Sequence, residues 1–178
     1  MKHYALPSQY DCLMDELRYH LANVSDGRIV VVSYIMPCDA VMGMVAEAAD
    51  NGVPTLVAVD AQHAKPGAVP IRCHGSEAMH AKYIVAGDTC IVGSWNFGNR
   101  GSIDSVFIEE SDWDLAQELA HEADNLVQHT KFTEQLDAEI TARLPGLRGR
   151  FGTSIRRQFA RRGTLSGPQI AAVLNVRE

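Results

Sequence analysis

The chain has 178 residues, 46% hydrophobic and 21% charged, the balance of one folded domain with at most a small appendage, which excludes wholesale disorder. No apolar run approaches the ~20 residues of a membrane span, and Met1 to Pro7 lack the apolar stretch of a secretory leader, so a cytoplasmic protein without stable membrane association is expected. The net charge of −6 hides a division: residues 1–142 carry 8 Lys+Arg against 21 Asp+Glu, and residues 143–178 carry 8 Arg against Glu178 alone, an asymmetry that hints at a nucleic-acid or other acidic contact.

Ser8 followed by Asp11 reads as a helix start, with Tyr10, Leu13, Met14, Leu17 and Leu21 recurring at helical spacing. After Ser25-Asp26-Gly27, the β-branched run Ile29–Ile35 reads as a strand buried on both faces. Asp39 is expected to cap a helix over 40–50, ended by Asn51-Gly52, and Val53–Val59 supplies a second buried strand. This β-α-β unit predicts a parallel pair. Residues 60–78 read as an irregular connection with one short strand at Ile71–Cys73. Lys82–Ala86 and Thr89–Val92 flank Gly87-Asp88 and predict a hairpin, and Ser105–Ile108 reads as a further strand. Ser111 with Asp114 opens a long helix stopped at Pro145-Gly146, and beyond it Phe151, Ile155 and Phe159, then Ser166-Gly167-Pro168, predict a helical hairpin. Cys12, Cys38, Cys73 and Cys90 lie far apart, with no C-x-x-C pair, which suits reduced thiols.

Three of the four lysines stand in the tripeptide His-x-Lys, at His63–Lys65, His80–Lys82 and His129–Lys131. On a strand, residues i and i+2 share a face, so such a pair can converge on one ligand. Pro66-Gly67 breaks any strand after His63, and His129 sits in a helical pattern, so both read as solvated surface residues. His20 and His121 read as surface or half-buried helix residues, and His74 is left outside the site. His80-Ala81-Lys82 differs, because the hairpin after it returns to Gly93-Ser94-Trp95-Asn96 and brings an imidazole, an ammonium and two neutral donors to one end of a sheet. That set suits a phosphate diester. No carboxylate cluster with metal-ligand spacing accompanies it, so neither a metal nor another cofactor is expected. Trp95 alternates with Ser94 and Asn96 and reads as core.

The stretch HAKYIVAGDTCIVGSWN, continuing FGNRGSIDSVFIEE, resembles the phospholipase D superfamily, whose motif is His-x-Lys, an Asp a few residues on, Gly-Ser-x-Asn and an acid further along. Asp88 stands one residue later than the family pattern, a slip inside the turn. The resemblance covers about residues 30–110 and implies an α/β fold, a mixed sheet flanked by helices; the catalytic domain is expected over residues 1–146, with a basic C-terminal helical extension over 147–178. It implies a catalytic set of His80, Lys82, Ser94, Asn96 and Asp104: a histidine nucleophile that forms a phosphohistidine, donors for the non-bridging oxygens, and an acid that orients a catalytic imidazole. Sites of this family use two motifs and this chain carries one, so the resemblance implies a homodimer with two copies of His80 facing each other. Short single-motif chains of the superfamily resemble endonucleases, which makes nucleic acid the expected substrate. The alternatives are a phosphodiesterase of cardiolipin-type lipids and a catalytically idle nucleic-acid-binding module. Arg148, Arg150, Arg156, Arg157, Arg161 and Arg162 are the expected nucleic-acid contacts of the extension.

Overall fold

A computed structural model describes residues 1–73, 79–101, 103–163 and 165–175; His74 lies outside them. The chain divides into two compact units. The larger holds residues 1–71 and 79–127. The smaller holds Gln128 onward together with Arg72 and Cys73.

In the larger unit, strands β1 (Lys2–Ala5), β2 (Ile29–Ser33), β3 (Thr55–Asp60), β4 (Val69–Ile71), β5 (Tyr83–Ala86), β6 (Thr89–Gly93) and β7 (Ser105–Glu109) form one seven-stranded mixed sheet in the order β1-β7-β6-β5-β2-β3-β4. β2 and β3 pair in parallel, as do β3 and β4, while β5 runs antiparallel to both β2 and β6. The expected β-α-β unit and hairpin are both present. Gly87 takes φ +63° in the hairpin turn, a left-handed conformation that a side chain would strain.

Helices α1 (Tyr10–Ala22) and α2 (Asp39–Asp50) cover one face of the sheet. Leu13, Leu17, Leu21, Val41, Val45 and Ala48 pack there with Ile29, Val31, Val57, Val59, Ile84, Ile91, Val106 and Ile108. The first part of α3 (Trp113–Arg143) lies against the other face, where Ala116, Ala120 and Ala123 are buried at helical spacing. There the Tyr83 hydroxyl donates to the Leu119 carbonyl at 3.0 Å, and burial pushes its pKa well above the usual range. Burial likewise pushes the Cys90 thiol up to about 11, so it is an inert core residue.

In the smaller unit the end of α3 is followed by a short 3₁₀ turn (Leu144–Gly146), α4 (Gly149–Arg162) and α5 (Gly167–Leu174), around a core of Ile140, Leu144, Ile155, Leu165 and Val173. Ser166 and Gln169 form a reciprocal capping box at the start of α5.

Four local readings are corrected. Ser8 is not the cap of α1: its hydroxyl donates to the Ala5 carbonyl, and Gln9 precedes the helix, its side-chain oxygen accepting from the Ala5 N–H at 2.7 Å. Asp39 is the first residue of α2 rather than its cap, contributing negative charge to the positive end of the helix. The cap of α3 is Asp112, whose carboxylate accepts the Leu115 N–H at 3.0 Å, and Ser111 before it adopts a left-handed conformation at φ +61°. Finally, β4 begins two residues earlier than the strand expected at 71–73.

Arg28 joins the start of β2 to α3 with a bidentate pair to Asp124 at 2.7 and 3.0 Å and a third hydrogen bond to the Ala120 carbonyl. The hydrogen bonds from Arg28 hold the Asp124 carboxyl below its ordinary value. A lowered carboxylate pKa adds stability that is present above the unfolded value and lost as pH falls through the folded one. Arg28→Ala is therefore expected to cost up to about 1 kcal/mol at pH 7, the range of a partly exposed ion pair. The difference should shrink below about pH 4, which urea unfolding at pH 7 and pH 3 would measure.

Candidate active site

The strand registers decide where the chemistry gathers. Val32 of β2 faces Tyr83 of β5, Ser33 faces Val59 of β3, Tyr83 faces Val92 of β6, and Gly93 faces Val106 of β7. The carboxyl ends of β2, β3 and β6 and the amino ends of β5 and β7 thus lie along one side of the sheet. The segments bearing Tyr34, His63, His80–Lys82, Ser94–Asn96 and Asp104 all leave the sheet there.

His80 and Lys82 meet directly. The Lys82 ammonium donates to the His80 carbonyl at 2.7 Å and lies 3.3 Å from its Nδ1. An ammonium has only donors, so Nδ1 accepts in this contact and a neutral ring carries its proton on Nε2. The His80 ring stacks on Tyr34, with centroids 4.7 Å apart and planes 26° from parallel, and Lys82 sits 5.8 Å from the Tyr34 centroid. The backbone entering this segment is pinned by buried Asp60, one carboxylate oxygen accepting the Met79 N–H and the other the Gln62 N–H, both at 3.0 Å.

His63 is not a solvated surface residue. It is half-buried and packs edge-on against Tyr34 at 4.7 Å, and its buried Nε2 has no hydrogen-bonding partner among the described residues. One tyrosine ring thus touches two histidines. His129 and Lys131 are exposed, as expected, and His121 is too. His20 is more enclosed than expected, its Nε2 lying 3.4 Å from Glu16 and 3.2 Å from Glu110. The Lys2 ammonium bonds the same two carboxylates, so that cluster already has its cation.

The Gly-Ser-x-Asn turn is built from both sides. A Cβ on Gly93 would stand 2.1 Å from the Ser105 carbonyl oxygen, so only glycine allows β6 and β7 to approach this closely. The Ser94 hydroxyl donates to the Asp104 carboxylate at 2.7 Å and accepts the Ser105 N–H at 3.1 Å. Its proton is therefore committed to Asp104, and the hydrogen bond of the Asp104 carboxylate runs to Ser94 rather than to an imidazole. Trp95 is buried, as expected, edge-on to Tyr10 and Phe97. Between these core residues Asn96 is half-buried, its amide oxygen without a hydrogen-bonding partner among the described residues and its backbone carbonyl accepting from Ser33 Oγ at 3.2 Å. Phe97 closes the turn at φ +54°, a conformation costly for an aromatic residue, and its carbonyl accepts the Cys38 N–H at 2.9 Å.

The fold has counterparts among known structures. NucT from Helicobacter pylori superposes with a TM-score of 0.60 at 10% identity, covering 71% of this chain and 94% of that one. Nuc from Salmonella typhimurium, a phospholipase D family member, superposes with a TM-score of 0.57 at 15% identity, covering 70% and 93%. The fold is that of the phospholipase D family. No family model and no curated protein matches the sequence. Within the phospholipase D fold, Tyr34, His63 and Asp60 are the residues here that sequence reading did not assign to the site. Their one signal is position, just beyond the carboxyl ends of β2 and β3.

The close approach at Gly93 makes a direct prediction. Gly93→Ala should lower the thermal midpoint markedly, since overpacking against backbone costs about 1–3 kcal/mol or more. Gly43→Ala, in open space within α2, should instead stabilise by about 0.5–1 kcal/mol. Thermal melts of both variants check the pair.

Proposed function

We propose that the chain is a phosphodiesterase that cleaves nucleic acid, with His80 as its nucleophile. The observation that carries this reading is the His80–Lys82 contact, an imidazole fixed beside an ammonium, at the sheet end from which the half-buried Asn96 also emerges. Adjacent residues couple the two halves of the motif: Ser33 binds the Asn96 backbone while Tyr34 stacks on His80. The fold shared with Nuc and the match to the phospholipase D motif support the same chemistry.

In the proposed reaction a ring nitrogen of His80 attacks phosphorus, forming a P–N bond as the P–O bond to the leaving group breaks. The leaving oxygen takes a proton from a second imidazolium, which later activates water to release the phosphoryl group from His80. Lys82 and Asn96 hold the non-bridging oxygens, fixed charge and dipole aimed where negative charge spreads in the transition state. Ser94 and Asp104 act through each other, locking the turn that carries Asn96. The second imidazole is His80 of a second copy across a two-fold axis, since the chain contains one complete motif.

His80→Ala and Lys82→Ala are each expected to lower cleavage of plasmid or oligonucleotide by orders of magnitude. His63→Ala should stay within a few-fold, and full activity should persist in EDTA. Activity lost in EDTA and restored by magnesium would overturn the mechanism, and a His63→Ala loss equal to that of His80→Ala would make the site intramolecular. Because one histidine must start neutral and the other protonated, the rate should follow a bell-shaped pH profile.

The shared site has its own test. Mixing wild type with excess His80→Ala should give hybrids of strongly reduced activity, each site then lacking one histidine. Sedimentation of the active species as a monomer would refute the dimer.

A further inference from the structure

The smaller unit sorts its arginines into two groups. Arg143 and Arg156 serve the fold: Arg143 pairs with Glu139 and bonds the Leu174 carbonyl, and Arg156 bonds the carbonyls of Leu144 and Leu147. Arg156, expected among the nucleic-acid contacts, is thereby removed from them. Arg148, Arg150, Arg157 and Arg161 are exposed and make no hydrogen bond or ion pair among the described residues; the side chain of Arg162 is not described.

The free arginines are ordered rather than scattered. At 3.6 residues per turn, Arg150, Thr153, Ser154, Arg157 and Arg161 fall on one face of α4, running about 16 Å along its axis. Ile155 and Phe159 take the opposite face and are packed into the core of the unit. Arg150, Thr153, Ser154 and Arg157 line a shallow recess. No acid occurs between Arg143 and Arg162, although the chain carries 22.

We infer that this face of α4 is a second contact surface for nucleic acid, in which Arg150, Arg157 and Arg161 grip backbone phosphates and the hydroxyl of Ser154 donates to a phosphate oxygen, the Thr153 hydroxyl being engaged with the Gly149 carbonyl. The inference deepens the proposed function and rests on it for the substrate class. Charge complementarity selects a polyanion. Ile155 and Phe159 are already packed in the protein core, which leaves Phe151 as the one large apolar side chain that α4 exposes among the described residues, too little for the broad apolar face of an amphipathic membrane helix. The contacts are to phosphate and so carry affinity without base preference.

The test is oligonucleotide binding by fluorescence anisotropy from 50 to 200 mM salt, using the full chain carrying His80→Ala so that the probe survives. Adding Arg150→Gln, Arg157→Gln and Arg161→Gln together should weaken binding and flatten the log–log salt slope by about 2–3, and Arg157→Gln alone by about 0.7–0.9. The corresponding Arg→Lys variants should retain the slope. In the wild-type background, the three Gln substitutions should leave the melting midpoint and the hydrolysis of a small chromogenic phosphodiester unchanged. An unchanged salt slope in the single or triple variant overturns the inference, and so does arginine-dependent binding to anionic vesicles without any to oligonucleotides. Nucleic acid bound through α4 by a wild-type chain that cleaves none would uphold this surface while defeating the proposed activity.

Discussion

Everything at the site depends on how β5 is held between β2 and β6. Tyr83, Ile84, Val85 and Ala86 pair on both sides, opposite Ile29–Val32 and Thr89–Val92. Side chains alternate across a strand, so a slip of one residue on either side would send each core residue to the wrong face. Leu13, Leu17 and Val41 bury one face and the Tyr83–Leu119 hydrogen bond ties the other to α3, so both faces resist that slip. Fixing β5 fixes where its amino end lies, and Lys82 and His80 follow immediately upstream. The Gly-Ser-x-Asn turn is placed by the other end of the same hairpin.

The sheet alone leaves the side chains beyond its edge free to rotate, and a second set of contacts restrains them. Asp60 holds the backbone before His80, Ser33 the backbone of Asn96, and Ser94 with Asp104 the start of β7. Tyr34 then fixes the plane of the imidazole. A flat ring stacked at 4.7 Å limits rotation of His80 without occupying either nitrogen. The restraint is apolar, so it leaves the donors and acceptors of the ring to Lys82 and to substrate.

Contiguous signals made most of the fold legible. β2, β3 and the β5–β6 hairpin are β-branched runs with turn residues between them, and each lies within two residues of its expected place. β1 was missed because Lys2-His3-Tyr4-Ala5 has no β-branched residue and forms a strand only because β7 offers it an edge. The caps at Gln9 and Asp112 were misread by one residue, since neighbouring polar residues compete for such positions. At the site, His80, Lys82, Ser94 and Asn96 stand in a spacing that sequence preserves. Tyr34, Asp60 and His63 come from two other strand ends and are brought in by the β2–β3 pairing, which no local pattern records. The pairing of Ser94 with Asp104 was hidden for the same reason, the two lying ten residues apart across a turn.

The contact between Lys82 and His80 connects binding to catalysis in the proposed reaction. While the ammonium occupies Nδ1, that lone pair is engaged and Nε2 bears the proton, so neither nitrogen of the neutral ring is free to attack phosphorus. A phosphodiester oxygen is a stronger partner for an ammonium than a neutral imidazole is, because the bond joins two charges. Arrival of substrate would therefore draw Lys82 from the ring to the phosphate, and the same movement would release the nucleophile. The stack on Tyr34 keeps the ring plane in place as its hydrogen-bond partner departs. An aromatic support suits this position better than a carboxylate would, since a carboxylate beside Lys82 would compete with the phosphate for the ammonium.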